Sequence, residues 1–281
     1  MAWARNTGLA LAVVSGCAGC GVPAVLQPGR SVQQSPQTLV HRTTKAFPEG
    51  AVFDYQIGGP YQPAVDVGIV DRDRSQKGVP GRFNICYVNA YQAQPDELQW
   101  WRKEHSTLLL RDKAGALVID KVWNEALLDI STPAKRTQLA KIVGTWFAGC
   151  ARFGHDAVEP DNLDSYTRST GLISRGDAIA FAADLAREAH IYQLLVAQKN
   201  SSELAPKLRT AGYDFAIVED CQEFGECAAY TSAYGRKVIE IEYDAKRFAT
   251  ACKMRSGKVS LLLRDVDVVP RGKPGYVNKT C

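Results

Sequence analysis

The chain has 281 residues, 46% hydrophobic and 23% charged, ordinary for a soluble globular protein and enough for one large domain or two small ones. The formal net charge of +4 is mild and the basic residues are scattered, so nucleic acid is not an expected partner. No apolar stretch after the first residues is long enough to span a bilayer, and the 4 histidines argue against a histidine-based metal site.

The N-terminus reads as a processing segment. Arg5 supplies a short positive region, and Thr7 to Val14 form an apolar run too short to span stably. Val14-Ser15-Gly16-Cys17 then resembles a bacterial lipobox, whose cysteine becomes the lipidated first residue. The alternative is a plain signal peptide cleaved nearby. Either way residues 1–17 form a leader, and the chain is exported to an oxidising compartment. The expected product is a cell-envelope lipoprotein or a secreted protein, touching the membrane only through that lipid. Residues 18–45, rich in Gly, Pro, Gln, Ser and Thr, read as a flexible tether. A single ordered domain is expected over 46–281, beginning near Phe47.

Short apolar runs with polar ends follow. Val52 to Ile57 leads into a Gly58-Gly59-Pro60 turn, and Val67 to Asp71 and Phe83 to Asn89 are the next two runs. Leu108 to Ile119 flanks Asp112-Lys113-Ala114-Gly115, which looks like a β-hairpin turn. Thr132-Pro133 marks a helix start, cap then first turn, and the helix runs to about Phe153 with Leu139, Ile142, Val143, Trp146 and Phe147 on one stripe. The stretch at 155–164 is read as the next strand, ending in carboxylates, then a helix around Ala178 to Ala186 and a strand from Leu194 to Lys199. A short helix at Leu204 to Arg209, strands at Phe215 to Glu219, Val238 to Glu242 and Val259 to Leu263, and a helix around Phe248 complete the chain.

From residue 133 strand and helix alternate, which argues for parallel strands. Setting the 108–130 region aside as an excursion leaves eight strands. The expected fold is a (β/α)8 TIM-barrel-like single domain with an irregular first half and a β-hairpin excursion. A doubly wound open sheet is the alternative. No Gly-x-Gly-x-x-Gly follows a strand, so no dinucleotide site is expected, and neither a cofactor nor a metal is called for.

In such a barrel the carboxyl ends of the strands build the site. Those ends carry Asp54 and Gln56, Asp71 and Asp73, Tyr87 and Asn89, Glu159 and Asp161, Lys199 and Asn200, Glu219 and Asp220, and Glu240 and Glu242. Period-two alternation puts Ala157, Glu159 and Asp161 on one face. Two carboxylates on an inward face are costly to bury, and a strand running out into a polar loop is the bland reading. Asp71-Arg72-Asp73-Arg74 reads equally as a solvated charge cluster, and Lys199 as a surface lysine. On the last glutamate strand, Ile239 and Ile241 suit the helix side, which would put Glu240 and Glu242 inside. Paired carboxylates in a sugar-sized cleft are what glycoside hydrolysis needs.

Five stretches resemble one family in order: Phe53 to Gly59, Asn84 to Ala90, Asp156 to Asn162, Ala197 to Asn200, and Val218 to Cys221. They are similar to the blocks of glycoside hydrolase family 114, endo-alpha-1,4-polygalactosaminidases with a TIM-barrel-like fold. The resemblance covers about 47–281. It implies a retaining hydrolase of a cationic amino-sugar polysaccharide, with Asp161 as nucleophile and Glu219 as acid and base. Asp54, Gln56, Asp71, Tyr87, Asn89, Glu159, Asn162, Lys199 and Glu242 are the residues expected around the substrate. Asp164 and Glu240 join the acidic ring expected to attract it. A monomer is expected. Competing readings are a non-catalytic carbohydrate-binding lipoprotein on the same barrel, or a hydrolase of another amino-sugar polymer.

Of eight cysteines, Cys17 is assigned to lipid and Cys20 to the leader region. The remaining six allow 15 pairings. Proximity suggests Cys221–Cys227, and related sequences carry the same spacing. A strand and helix that could pack suggest Cys86–Cys150. Cys252 and Cys281 share the C-terminal segment.

Overall fold

Eight short runs, each with apolar residues on alternate positions, form parallel strands in chain order. They are β1 (Phe53–Tyr55), β2 (Ile69–Asp73) and β3 (Phe83–Asn89), then, past the excursion, β7 (Ala157–Asp161), β8 (Leu195–Lys199), β9 (Phe215–Glu219), β10 (Val238–Glu242) and β11 (Ser260–Arg264). The excursion holds β4 (Gln92–Ala93), α1 (Leu98–Glu104), β5 (Ile119–Asp120) and β6 (Glu125–Leu127). The remaining elements are α2 (Pro133–Arg152), α3 (Arg175–Ile191), α4 (Ala205–Thr210), α5 (Cys221–Phe224), α6 (Cys227–Tyr234), α7 (Ala245–Arg255) and β12 (Asn278–Thr280). This computed structural model describes residues 44–281. The expected leader, the expected lipidation site at Cys17 and Cys20 lie outside the described residues, as does nearly all of the expected 18–45 tether.

The sheet order β1-β2-β3-β7-β8-β9-β10-β11 is sequential, and all these pairings are parallel. The sheet curls into a nearly closed, TIM-barrel-like ring with helices outside. At the seam, β12 adds antiparallel to β11. Arg264, fully buried, donates from Nε to Tyr55 O at 3.1 Å and from its two terminal nitrogens to Val277 O and Val269 O. Asn278 Nδ2 donates to Asp54 Oδ1 at 2.7 Å. Side chains therefore join β11 and β12 to β1 where no ladder runs.

Period two sorts the core into two layers. Phe53, Tyr55, Ile69, Phe83, Ile85, Ala157, Ala197, Phe215, Ile217, Ile239, Ile241 and Leu262 fill the barrel interior. Phe47 plugs its lower end against Phe215 and Phe83, with ring centroids 4.7 and 5.7 Å away. Val88, Val158, Val196, Ala216, Val218 and Val238 point outward, into one apolar layer with Phe147, Phe181, Leu185 and Leu208 of the helices.

Helix starts are chemical. Thr132 caps α2, its hydroxyl accepting from Lys135 N, with Pro133 in the first turn. Ser174 and Asp177 make a reciprocal capping box for α3. Three disulfides pair as the sequence suggests. Cys86–Cys150 ties β3 to α2, Cys221–Cys227 ties the starts of α5 and α6, and Cys252–Cys281 ties α7 to the C-terminus. The hairpin turn at Asp112 to Gly115 forms, but the excursion is larger than a hairpin. β6 is the centre of a three-stranded antiparallel sheet with β4 and β5, folded back over the barrel mouth. No helix among the described residues is long and apolar enough to cross a membrane.

Candidate active site

Three neighbouring strands end in the same way. Asp161 of β7 is followed by Asn162 at φ 66°, Lys199 of β8 by Asn200 at φ 51° and Ser201 at φ 61°, and Glu219 of β9 by Asp220 at φ 52°. A left-handed residue turns the chain sharply away, and Asn and Asp tolerate that conformation best among residues with a Cβ. Each polar side chain is thus left at the strand tip, pointing over the barrel interior.

Lys199 sits at the centre, 3% exposed. Its Nζ lies 3.1 Å from Glu159 Oε1, 3.5 Å from Asp161 Oδ1 and 3.3 Å from Glu219 Oε2. Burial works against its charge, but the three carboxylates outweigh burial and hold the ammonium protonated well beyond the usual lysine range. Asp161 also accepts from Tyr87 OH at 2.8 Å and from the Asn162 amide at 2.7 Å. Glu219 accepts from Asn200 Nδ2 at 3.0 Å and from the Tyr243 hydroxyl, while Asn200 Oδ1 accepts the Glu219 backbone N–H. Both carboxyl groups are held by donors yet stay partly open, Asp161 at 18% and Glu219 at 26%.

Above them lies a cleft of about 450 Å³, lined among others by Tyr55, Asp73, Tyr87, Trp123, Glu125, Asp161, Asn162, Asp164, Arg168, Lys199, Glu219, Tyr243 and Asp267. A second hollow of about 370 Å³ shares Asp164, Asn200, Glu219 and Tyr243 with it and adds Glu203, Asp220, Glu226 and Phe224. Carboxylates outnumber cations along both.

Several expected residues stand elsewhere. Tyr87, Asn162 and Lys199 line the cleft. Asn89 is buried behind it, donating to Glu125 Oε2 at 2.8 Å. Glu159 and Asp71 point into the barrel but are fully buried below the cleft floor, so neither is available to substrate, and Asp71 is no solvated charge. Asp54 and Gln56 have the opposite parity to Tyr55 and face outward. Asp54 accepts from Gln56, Tyr61 and Asn278, and Gln56 accepts from Arg72, so both belong to the seam.

Glu240 and Glu242 are corrected outright. Ile239 and Ile241 fill the barrel beside Ile217 and Leu262, leaving the glutamates on the helix side. There Arg255 Nε grips Glu240 at 2.7 Å, and Glu242 accepts from the Gln222 amide at 2.9 Å. An acidic ring built from Asp54, Asp71, Glu240 and Glu242 therefore does not exist; Asp73, Asp164 and Asp267 take that place. Among the described residues, Cys221, Cys227, Glu240 and Glu242 are grouped closely enough to suggest a metal. The cysteines are joined as a disulfide and Arg255 occupies Glu240.

Sequence reasoning missed Glu125. It lies on β6, in the excursion set aside, and its Oε2 also takes Asn162 Nδ2 at 3.4 Å. Burial pushes its carboxyl up to about 7, against the pull of the Asn89 hydrogen bond. The local signal was a tryptophan beside a carboxylate, Trp123-Asn124-Glu125, between two apolar runs. Trp123 stands 56% exposed at the cleft rim. Arg168 was missed as well, lying beyond the strand-end motifs, and so was Tyr243, which follows Glu242 directly but shares the inward parity of Ile239 and Ile241 rather than that of the glutamates.

A nearly closed parallel barrel with two partly open carboxyl groups clasped over one buried ammonium, at the carboxyl ends of its strands, is an arrangement of the glycoside hydrolase class. The model of glycoside hydrolase family GH114 matches residues 34–281, and the chain belongs to that family. Solved structures agree on the fold. Ega3 of Aspergillus fumigatus, solved in complex with galactosamine, is 23% identical, covering 85% of this chain and 99% of its own at a TM-score of 0.68. The glycoside hydrolase domain of PelA from Pseudomonas aeruginosa is 18% identical, covering 82% and 97% at a TM-score of 0.57. No curated protein matches the sequence.

Proposed function

We propose that the protein is an endo-acting, retaining glycoside hydrolase of α-1,4-linked galactosamine polymer, with Asp161 as nucleophile and Glu219 as acid and base. One observation carries the reading: both carboxyl groups contact the same Lys199 ammonium under an open cleft. Their nearest oxygens can be no farther apart than the sum of those two contacts, about 6.8 Å, which admits the retaining separation of about 5–5.5 Å and little of the inverting range of roughly 6.5–9.5 Å.

Asp161 attacks the anomeric carbon while Glu219 passes its proton to the departing glycosidic oxygen. Asp161 loses its negative charge to the new ester bond as Glu219 gains one. The total charge facing Lys199 is therefore constant through the step, and a rigidly buried ammonium suits it throughout. Glu219 then takes a proton from water attacking the same carbon, and Asp161 is released.

The carboxylates of the cleft favour a polymer bearing ammonium groups, and Ega3's galactosamine complex supports that choice. The exposed Trp123 offers an aromatic face to a sugar ring. Incubation with partly de-N-acetylated galactosamine polymer should yield short oligomers, with rate falling as salt rises or acetylation approaches completion. Equal rates on the fully acetylated polymer would remove the substrate assignment. Three disulfides fit work outside the cytoplasm. A lipid on Cys17 would hold the enzyme at the envelope, and Cys17→Ser should then release it from the membrane fraction.

A further inference from the structure

Beneath the proposed catalytic pair lies a carboxyl group that mechanism does not use. Asp71 projects from β2 into the barrel, fully buried, and neither of its side-chain oxygens has a hydrogen-bond donor. The amide of Arg72 approaches without a well-formed bond. Instead Asp71 faces the carboxyl of Glu159 on β7 at hydrogen-bonding range. Side chains from alternate strands of such a barrel meet in one layer, and β2 and β7 flank β3. Glu159 Oε1 takes Lys199 Nζ at 3.1 Å and Tyr55 OH at 3.3 Å, while its Oε2 has no donor either.

Two fully buried carboxylates cannot face each other ionised without a donor between them, because like charges at contact in a dry interior repel strongly. One must hold a proton. Glu159 already has a cation and a hydroxyl as donors; Asp71 has neither.

We propose that Asp71 is a positioning residue that carries a proton at neutral pH and donates it to Glu159 Oε2. Glu159 then presents a single negative charge to Lys199 from below, while Asp161 and Glu219 hold the same ammonium from above. The charged and titratable groups around the pair are Tyr55 from β1, Tyr87 from β3, Asp161 from β7, Lys199 from β8 and Glu219 from β9. Burial and then the neighbouring Glu159 push the Asp71 carboxyl well above the usual range; burial raises Glu159 as well, opposed there by the Lys199 ammonium and by the bond from Asp71, in keeping with that donor direction.

The protonation itself can be read without any turnover. Infrared spectra of the unliganded wild-type protein at about pH 9, well above the usual carboxylate range, should still show the carbonyl band of a protonated carboxyl. That band should shift when aspartate is carbon-13 labelled at its side-chain carboxyl, and be missing from Asp71→Asn. Absence of an aspartate-sensitive band overturns the proposal, and the labelled wild type decides it even where the variant does not fold.

The effect on the site rests on the hydrolase reading and is seen in the pH–rate profile. Asp71→Asn replaces one neutral donor with another and should leave both limbs in place, whatever the rate. Glu159→Gln removes a negative charge near Asp161 and Glu219, so both ionise more easily and both limbs should move to lower pH by about one unit. Equal shifts in the two variants would show that Asp71 is ionised in the wild type and sink the idea. A wild type that degrades no polymer but keeps the aspartate band would instead fault the hydrolase assignment alone.

Discussion

The strands β7 and β10 carry nearly the same pattern and do opposite things with it. Glu159-Pro160-Asp161 and Glu240-Ile241-Glu242 each place two acidic side chains on one strand face. On β7 that face is the barrel interior, and the cation is Lys199. On β10 it is the helix side, and the cation is Arg255. The difference lies in what surrounds each strand. Beside β10, Ile217 and Leu262 make the inner layer apolar, so Ile239 and Ile241 complete it. Beside β7, the interior already holds Lys199, Tyr55 and Asp71, so small Ala157 packs below and the two acids share the Lys199 ammonium. A buried acidic pair is thus a structural clamp or a reaction centre according to its neighbours.

Breaking the comparison on the β7 side should give the largest effect. Asp161→Asn is nearly isosteric and should cut turnover at least about a thousandfold with an unchanged melting temperature. Glu219→Gln should lose about 10²- to 10⁴-fold on the polymer but spare substrates with good leaving groups, which need no acid. Near-wild-type polymer turnover in either variant would leave the pair misassigned.

The two cations come next. Lys199→Met leaves buried carboxylates unpaired and should cost about 3–5 kcal/mol in denaturant unfolding as well as activity. Arg255→Met strips fully buried Glu240 of its partner, so a stability loss of similar order is expected while kcat stays within a few-fold. A large kcat loss in Arg255→Met would erase the distinction between clamp and site.

Disulfides sharpen it further. By loop-closure entropy, removing Cys86–Cys150, which closes a separation of 64 residues, should cost about 4 kcal/mol. Removing Cys221–Cys227, with a separation of 6, should cost about 2 kcal/mol. Unfolding of the paired Cys→Ala variants under oxidising conditions reads both.

The smallest effect is a pH dependence. Burial pushes Glu242 up to about 7, above its unfolded value near 4.5. The folded state therefore binds more protons between those values, and stability falls as pH rises through that window. Glu242→Gln removes this loss and should gain on the order of 2 kcal/mol at pH 8 relative to pH 5, with turnover unaffected. A flat difference between the two pH values would show that Glu242 is ionised without penalty.

The chain by itself determined what rests on local chemistry. Period-two runs located the eight barrel strands, Thr132-Pro133 located the start of α2, and the strand-end polar residues located Asp161, Lys199 and Glu219. Left-handed Asn and Asp positions just after them belong to the same local code. The tertiary structure decided what rests on distant neighbours. Alternation says that Glu240 and Glu242 share a face but not which one, because a strand's two faces are equivalent until the adjacent strands choose. Asp54 looked like a site carboxylate until Asn278, 224 residues away, drew it into the seam. Glu125 reached the cleft only because the excursion folds back over the barrel mouth, a long-range packing event that no short-period pattern encodes.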